Sequence, residues 1–298
     1  MFGPVIAGKL METYGPWVPI LAVYGTIPVM IGLVLLLPET LQVDAKTAPG
    51  RDVPLLKAVR SHVAEGVREL GHSVAMLRNP NILLIMAAFF VQSPLVVAYT
   101  NTLAQYVSKN FGWTLAQVSY LLSPLSLLHI LVLAVIPKVS DYLVSPRRKF
   151  PLSSFTKDLR LAQVSFGLLI VAAVLEGLSQ EIVLYLIGLF IGTFGAGVSP
   201  FSRATITAHV DAKHTSRLYA LISIVETIGA LFGGPVLAWC FDIGMRKRGL
   251  WRGLPWFYVA FLCSLALTAL FFVREPKTRA AESDLEPTEP DAPLEGEP

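Results

Sequence analysis

One apolar run constrains the fold of this chain more than any other feature. It extends from Leu218 to Phe241, which is long enough to supply the roughly 20 residues that cross a hydrocarbon core of about 30 Å. Glu226 lies inside the run. Because a charge in lipid is costly, an intramembrane acid is expected to face other helices or water, and it is a candidate functional residue. The run therefore predicts a membrane helix that carries a functional acid.

Small residues and a proline in the same run predict close helix packing. Gly229 and Gly233 are four positions apart, on one face of a helix, where they allow a neighbouring helix to approach closely. Gly234 and Pro235 follow, and a proline removes a backbone donor and bends a helix. We expect these four residues to serve in helix packing or in a gate.

The beginning of the chain repeats part of this segment. Gly3-Pro4-Val5-Ile6-Ala7 matches Gly234-Pro235-Val236-Leu237-Ala238, and each copy is followed by a polar link, a tryptophan and another apolar run. Internal repeats of helix groups are a common construction of secondary transporters.

At these residues the chain resembles the major facilitator superfamily, whose fifth and eleventh helices carry a Gly-Pro motif. More narrowly, it is similar to fungal members that are distantly related to the proton-coupled folate transporters. The phrases that carry this resemblance are Gln105-Tyr106-Val107-Ser108-Lys109, Lys157-Asp158-Leu159-Arg160-Leu161-Ala162, Leu218-Tyr219, Val225-Glu226-Thr227-Ile228-Gly229 and Gly253-Leu254-Pro255. The resemblance implies an all-α polytopic fold made of a stub of helix five and helices six to twelve, and therefore a chain truncated at its N-terminus.

Composition independently indicates a membrane protein and excludes several other classes. The chain is 54% hydrophobic and only 15% charged, far more apolar than a typical soluble domain. Its two cysteines, Cys240 and Cys263, fall at or within apolar runs, so we expect neither a disulfide framework nor a zinc site. No phosphate-binding loop, metal-ligand spacing or nucleophile elbow is present. We therefore expect no enzymatic activity, no cofactor, no metal and no nucleic-acid partner.

Residues 1–11 are predicted to be a stub, because a helix of this length rises only about 16 Å. Complete spans are then predicted at Trp17–Leu37, Ile82–Leu103, Leu115–Ile136, Leu161–Leu178, Ile182–Ala208, Leu218–Phe241 and Pro255–Val273. The expected organisation has four parts: a remnant of an N-terminal bundle at 1–37, a cytoplasmic linker at 38–81, a six-helix bundle at 82–274, and an acidic tail at 275–298. Within the linker, apolar residues spaced three and four apart between Leu55 and Leu77 predict an amphipathic helix.

Basic residues predict the orientation of these spans. When the linker is placed in the cytoplasm, the inner segments carry 18 of the 24 lysines and arginines, as the positive-inside rule requires. A cluster at Arg246–Arg252 opposes this assignment. We therefore expect a multi-pass protein of the plasma or vacuolar membrane whose C-terminus lies in the cytoplasm.

Polar residues on two spans are candidates for lining a solute cavity. At 100° per residue, Gln92, Tyr99 and Thr102 can share one face of their helix, and simple interhelical hydrogen bonding is the alternative. On the next span Ser123 and Ser126 form a polar stripe with His129 at its edge. A histidine in this position could relay protons near neutral pH, or it could be a hydrogen-bonded packing residue.

Glu226 is predicted to pair with Arg203. Counted from the inner ends of their spans, the two residues differ in height by only about 6 Å, which a flexible arginine can bridge. The pair is a candidate for proton coupling, and a static ion pair between helices is an equally open interpretation.

The loop from Pro137 to Lys149 resembles a gate signature of the superfamily, with Asp141 at its acidic position and Arg147 and Arg148 at its basic positions. It lacks both glycines and the first arginine of that signature. Ordinary positive-inside anchoring explains the arginines equally well.

These observations predict a transporter that moves a small organic solute across a lipid bilayer by alternating access, with protons as a potential coupling ion. The alternative is a truncated remnant that does not transport and only interacts with other membrane proteins. A membrane-bound transferase is less well supported, because the chain shows no phosphate- or metal-binding loop.

Overall fold

A computed structural model describes residues 3–36, 71, 76–144, 153–211, 214–247 and 249–275. Most of the predicted linker helix, the acidic tail, Arg147 and Arg148 lie outside these residues. The predicted division of the chain into four parts therefore stays a prediction.

The described residues form helices and contain no strand. Their α-helices are α1 (Gly3–Tyr14), α2 (Trp17–Leu36), α3 (Pro80–Val97), α4 (Leu103–Phe111), α5 (Leu115–Val144), α6 (Ser154–Leu178), α7 (Ile182–Thr193), α8 (Val198–Thr207), α9 (Thr215–Arg246) and α10 (Leu254–Phe271). A π-helical turn at Ala98–Thr102 joins α3 to α4, and a 3-10 turn at Phe194–Gly197 joins α7 to α8. Further 3-10 turns occupy Met76–Arg78 and Gly249–Gly253.

Seven helical segments of the described part are long and apolar enough to cross a membrane. They coincide with the seven predicted spans, so the all-α polytopic fold is confirmed. Their ends differ from the prediction where polar residues extend a helix beyond its apolar portion. The segment predicted at Leu218–Phe241, for example, runs from Thr215 to Arg246.

The π-helical turn in the second span begins one helical turn after Pro94. Proline has no N–H, so the carbonyl of Phe90, four residues earlier, loses its usual helical partner. One turn later the amide of Ala98 reaches both Leu95 and Pro94 carbonyls, and the π-helical turn begins there. Such single turns rotate the helix that follows relative to the helix before it.

The core of the bundle lies around α3 and α6. Helix α3 packs against α9 and α10, while α6 packs against α10 and α7. The largest fully buried side chains include Trp256, Tyr106, Tyr185, Phe89 and Phe166. By contrast, α2 has no buried residue, and its apolar side chains are exposed, as lipid contact requires.

The predicted stub is helical and is attached to the bundle through α5. Gly8 is its one buried residue, and a Cβ added there would lie 3.0 Å from Cε1 of Tyr120. The Tyr120 hydroxyl also donates to Oε2 of Glu12 at 2.9 Å. The small residue thus allows α1 and α5 to meet closely, and one polar contact fixes their register.

Candidate functional site

Arg203 of α8 and Glu226 of α9 form an ion pair inside the bundle. Their Nη2 and Oε1 atoms lie 2.9 Å apart, and the two side chains are 36% and 25% exposed. The guanidinium also lies 5.8 Å from the ring centroids of Phe89 and Tyr219, within the range of a cation–π contact. The pair is therefore held by three helices and is still open on one side.

The local sequence explains how α8 presents Arg203. The 3-10 turn before α8 contains Gly195 and Gly197, and both lie against α6. A Cβ at Gly195 would stand 2.5 Å from Cγ of Leu169, and one at Gly197 would stand 2.9 Å from Oγ of Ser165. Because larger residues would push the turn off α6, these glycines determine how deeply α8 sits in the bundle.

The glycines of α9 place Glu226 in the same way. A Cβ at Gly229 would overlap the carbonyl of Phe90, and one at Gly233 would overlap the Pro94 ring. The α3 backbone therefore lies directly on this face of α9. Gly234 and Pro235 point elsewhere: nothing lies within 4 Å of a Cβ at Gly234, and Pro235 is exposed. The predicted role of these two residues in helix packing or in a gate stays a prediction.

The three residues expected to share a cavity-lining face of α3 and its π-helical turn have different surroundings. Tyr99 turns into the bundle and its hydroxyl contacts Glu176. Thr102 is 8% exposed and therefore buried. Oε1 of Gln92 is buried and has no hydrogen-bond partner among the described residues. Tyr99 is half-buried and Thr102 is buried, and the lining of a solute cavity by these residues stays a prediction.

On α5, the serine stripe and the histidine are separate from the ion pair. Ser126 donates to the carbonyl of Leu122 at 2.7 Å, and Ser123 is half-buried. His129 is exposed, and no contact between it and Arg203 or Glu226 is found in the described part of the chain. Asp141 lies in the last turns of α5, and nothing is described of its side chain.

Sequence reasoning missed Glu176, whose side chain is completely buried near the end of α6. The Tyr99 hydroxyl lies 3.3 Å from its Oε1 and 3.1 Å from its Oε2. Trp256, Tyr106 and Tyr185 surround this contact and pack ring against ring. The available signal was the spacing of Gly188 and Gly192 on the next span, because both leave room for the Glu176 side chain.

No group of three or more His, Cys, Asp or Glu side chains that could hold a metal ion occurs among residues 3–275 where the structure describes them. Cys240 and Cys263 are both buried thiols. Two polar features of the described helices bring functional groups together in the interior: the Arg203–Glu226 pair and the Glu176–Tyr99 contact.

The family model described as Major Facilitator Superfamily matches residues 159–295, a region that includes both polar features except Tyr99.

Individual relatives are fungal transporters. The MFS-type transporter aprT of Aspergillus flavus is 31% identical over 199 residues, which is 66% of this chain and 38% of that protein. The efflux pump ustT of the same species is 26% identical over 284 residues, 91% of this chain and 55% of the relative. The MFS efflux pump atnC of Emericella nidulans is 28% identical over 178 residues, 59% of this chain and 34% of the relative. The chain thus spans between about a third and just over half of these relatives.

Proposed function

The chain is a member of the major facilitator superfamily, and on this premise we propose that it takes part in moving a small organic solute across a membrane by alternating access. The observation that carries the proposal is the Arg203–Glu226 ion pair. Charged groups within membrane spans are rare and costly, and they commonly mark solute or ion pathways. A pair that is 36% and 25% exposed is accessible enough to exchange partners.

The chemistry of the pair suits proton coupling. An anionic group of a solute that binds Arg203 competes with Glu226 for the guanidinium. Once displaced, Glu226 is a carboxylate without its cation, and we propose that it is the group that exchanges a proton at this step. When α8 and α9 shift and Arg203 returns, the ion pair forms again.

The direction of transport that we propose is export. Two relatives are named efflux pumps, and this supports the same direction for the present chain. The charge distribution of the sequence supports a cytoplasmic C-terminus. The membrane that we propose is the plasma or the vacuolar membrane. Nothing in the three relatives' names specifies the solute of this chain.

Flux through proteoliposomes that contain the full chain tests this proposal. Suitable probes are fluorescein, rhodamine 123 and caffeine, which are an organic anion, an organic cation and a neutral solute. We expect at least one probe to move faster than in empty vesicles and to accumulate when a pH gradient is applied. Flux of every probe at the rate of empty vesicles would contradict transport by this chain.

The role of the ion pair has its own test. Glu226→Gln should retain exchange of the transported probe but lose accumulation driven by the pH gradient. Asp242→Asn is a matched control, because Asp242 lies on the same helix and pairs with Arg246 at the exposed surface. Undiminished accumulation by Glu226→Gln would remove Glu226 from the coupling mechanism.

A further inference from the structure

Glu176 is a buried acid that the mechanism above does not use. Its side chain has no exposed surface, and the adjacent helix is shaped to hold it. A Cβ at Gly188 would lie 2.8 Å from Cγ of Glu176, and one at Gly192 would lie 4.0 Å from Oε1. These two positions of α7 leave the volume that the acid occupies.

Each helix packed around Glu176 contributes a titratable or charged neighbour. Tyr99 comes from the π-helical turn and contacts the acid. Tyr185 of α7 stacks on Tyr106 of α4, and Cys263 of α10 is a buried thiol. Arg252 donates to Oδ1 of Asn110 at 3.0 Å. No cation contacts the Glu176 carboxyl in the described part of the protein.

An ionised Glu176 would thus have one donor for two oxygens. The Tyr99 hydroxyl has a single hydrogen, although it lies close to both carboxyl oxygens. Burying a carboxylate without a counterion is so unfavourable that such groups take up a proton instead. With a proton, Glu176 becomes a neutral acid that can donate to Tyr99 and needs no cation.

The rings around the acid leave no space between them for a larger ligand. Ring centroids of Tyr106 and Tyr185 are 5.4 Å apart, and Trp256 lies 5.7 Å from Tyr106 and 5.6 Å from Tyr185. All three side chains are completely buried. A proton is the one ligand that binds without requiring additional volume.

We propose that Glu176 is a proton-binding site in the interior of the bundle, distinct from the Arg203–Glu226 pair. Binding forms an O–H bond on one carboxyl oxygen and removes the negative charge. Release breaks the same bond and restores the carboxylate. No other group is oxidised, reduced or transferred.

The same cluster contains two buried donors that do not contact the acid. Trp256 Nε1 and the Tyr185 hydroxyl have no hydrogen-bond partner in the parts of the chain that are described. Buried polar groups are normally paired, so this cluster has unused hydrogen-bonding capacity. Ser179 is also buried, and its hydroxyl donates to the backbone carbonyl of Glu176 at 2.6 Å.

Infrared spectroscopy of the purified full chain in lipid nanodiscs tests the site without any solute. A protonated carboxylic acid has a carbonyl-stretching band at higher frequency than a carboxylate. We expect this band at neutral pH in the unmodified protein and its loss in Glu176→Gln. Glu181→Gln is the matched control, because Glu181 is an exposed acid at the start of α7, and it should leave the band unchanged.

A second variant keeps the test decisive where Glu176→Gln does not fold. Tyr99→Phe retains the acid and removes its hydrogen-bond partner, so the band should shift in frequency but persist. Absence of the band from the unmodified protein, or its persistence unchanged in both variants, would overturn the proposal. Because neither measurement depends on flux, failure of the transport proposal would leave this result interpretable.

Discussion

The carbonyl of Phe90 in α3 lies directly against Gly229 in α9, so that a methyl group at Gly229 would overlap it. This carbonyl is the one that Pro94 leaves without its usual helical donor. The Phe90 carbonyl oxygen therefore lies where a side chain at Gly229 would be. The backbones of α3 and α9 meet there without an intervening side chain.

The first prediction concerns this contact. Gly229→Ala should force α3 and α9 apart and lower the free energy of unfolding by about 1–3 kcal/mol, as overpacking usually does. Thermal unfolding in detergent, followed by intrinsic tryptophan fluorescence, measures the effect.

Gly234→Ala is the matched control, five positions further along the same helix. A Cβ there meets nothing within 4 Å, and alanine favours helix over glycine by up to about 1 kcal/mol. The control should therefore be neutral or slightly stabilising. Equal destabilisation by both substitutions would mean that the α3–α9 contact is not the cause.

The second prediction separates a static ion pair from a functional one. If Arg203 and Glu226 only hold α8 to α9, Glu226→Gln should destabilise the protein, though by less than the roughly 3–5 kcal/mol of a fully buried pair. Exchanging the two residues should then restore most of the lost stability. The melting temperatures of both variants distinguish a static pair from a functional one. A normal melting temperature for Glu226→Gln would exclude a mainly structural role.

The third prediction concerns His209, which follows α8. Its Nδ1 lies 3.1 Å from the Thr205 carbonyl and its Nε2 lies 3.1 Å from the Arg274 carbonyl, so it connects the end of α8 to the segment after α10. His209→Ala should lower stability by about 0.5–1.5 kcal/mol, because the hydrogen bond that one ring N–H donates to one of these carbonyls is lost.

The exposed His129 of α5 provides the comparison for His209. His129→Ala should have little effect on the melting temperature, since substitutions at exposed positions usually change stability by less than about 0.5 kcal/mol. A larger loss from His129→Ala than from His209→Ala would contradict the structural role assigned to His209.

The fourth prediction concerns topology. Cysteines introduced as Arg51→Cys in the linker and Asp291→Cys in the tail should resist an impermeant thiol reagent in intact cells. Leu250→Cys, at an exposed position beyond α9, should react. The native Cys240 and Cys263 are buried and should give little background. Labelling of the linker or tail from outside would reverse the proposed orientation.

Hydrophobic run length predicted the seven spans, because a membrane helix must present about 20 apolar residues to lipid wherever it lies in the sequence. The same rule placed the stub at the start of the chain. The ends of α5 and α9 could not be predicted, since a helix continues through polar residues beyond the membrane for as long as its backbone bonds are favourable.

Part of the site was also accessible from the sequence. Arg203 and Glu226 were predicted to pair because they lie at similar heights along their spans. That height follows from the helical rise per residue alone. The 100° rule says which residues share a face with Tyr99 but not which neighbour that face meets. Thr102 lies within the π-helical turn, where the angle per residue differs from that of an α-helix.

Glu176 could not be distinguished from an ordinary acid at a helix end. It lies three residues from a short polar link, and only the packing of α7 and α10 around it produces burial. Gly188 and Gly192 have the spacing of packing residues, but the sequence does not specify which side chain fills the space they leave.

Within residues 3–36, as the structure describes them, burial is confined to Gly8. The contact between α1 and α5, with the hydrogen bond from Tyr120 to Glu12, is therefore what joins this part of the chain to the other described helices.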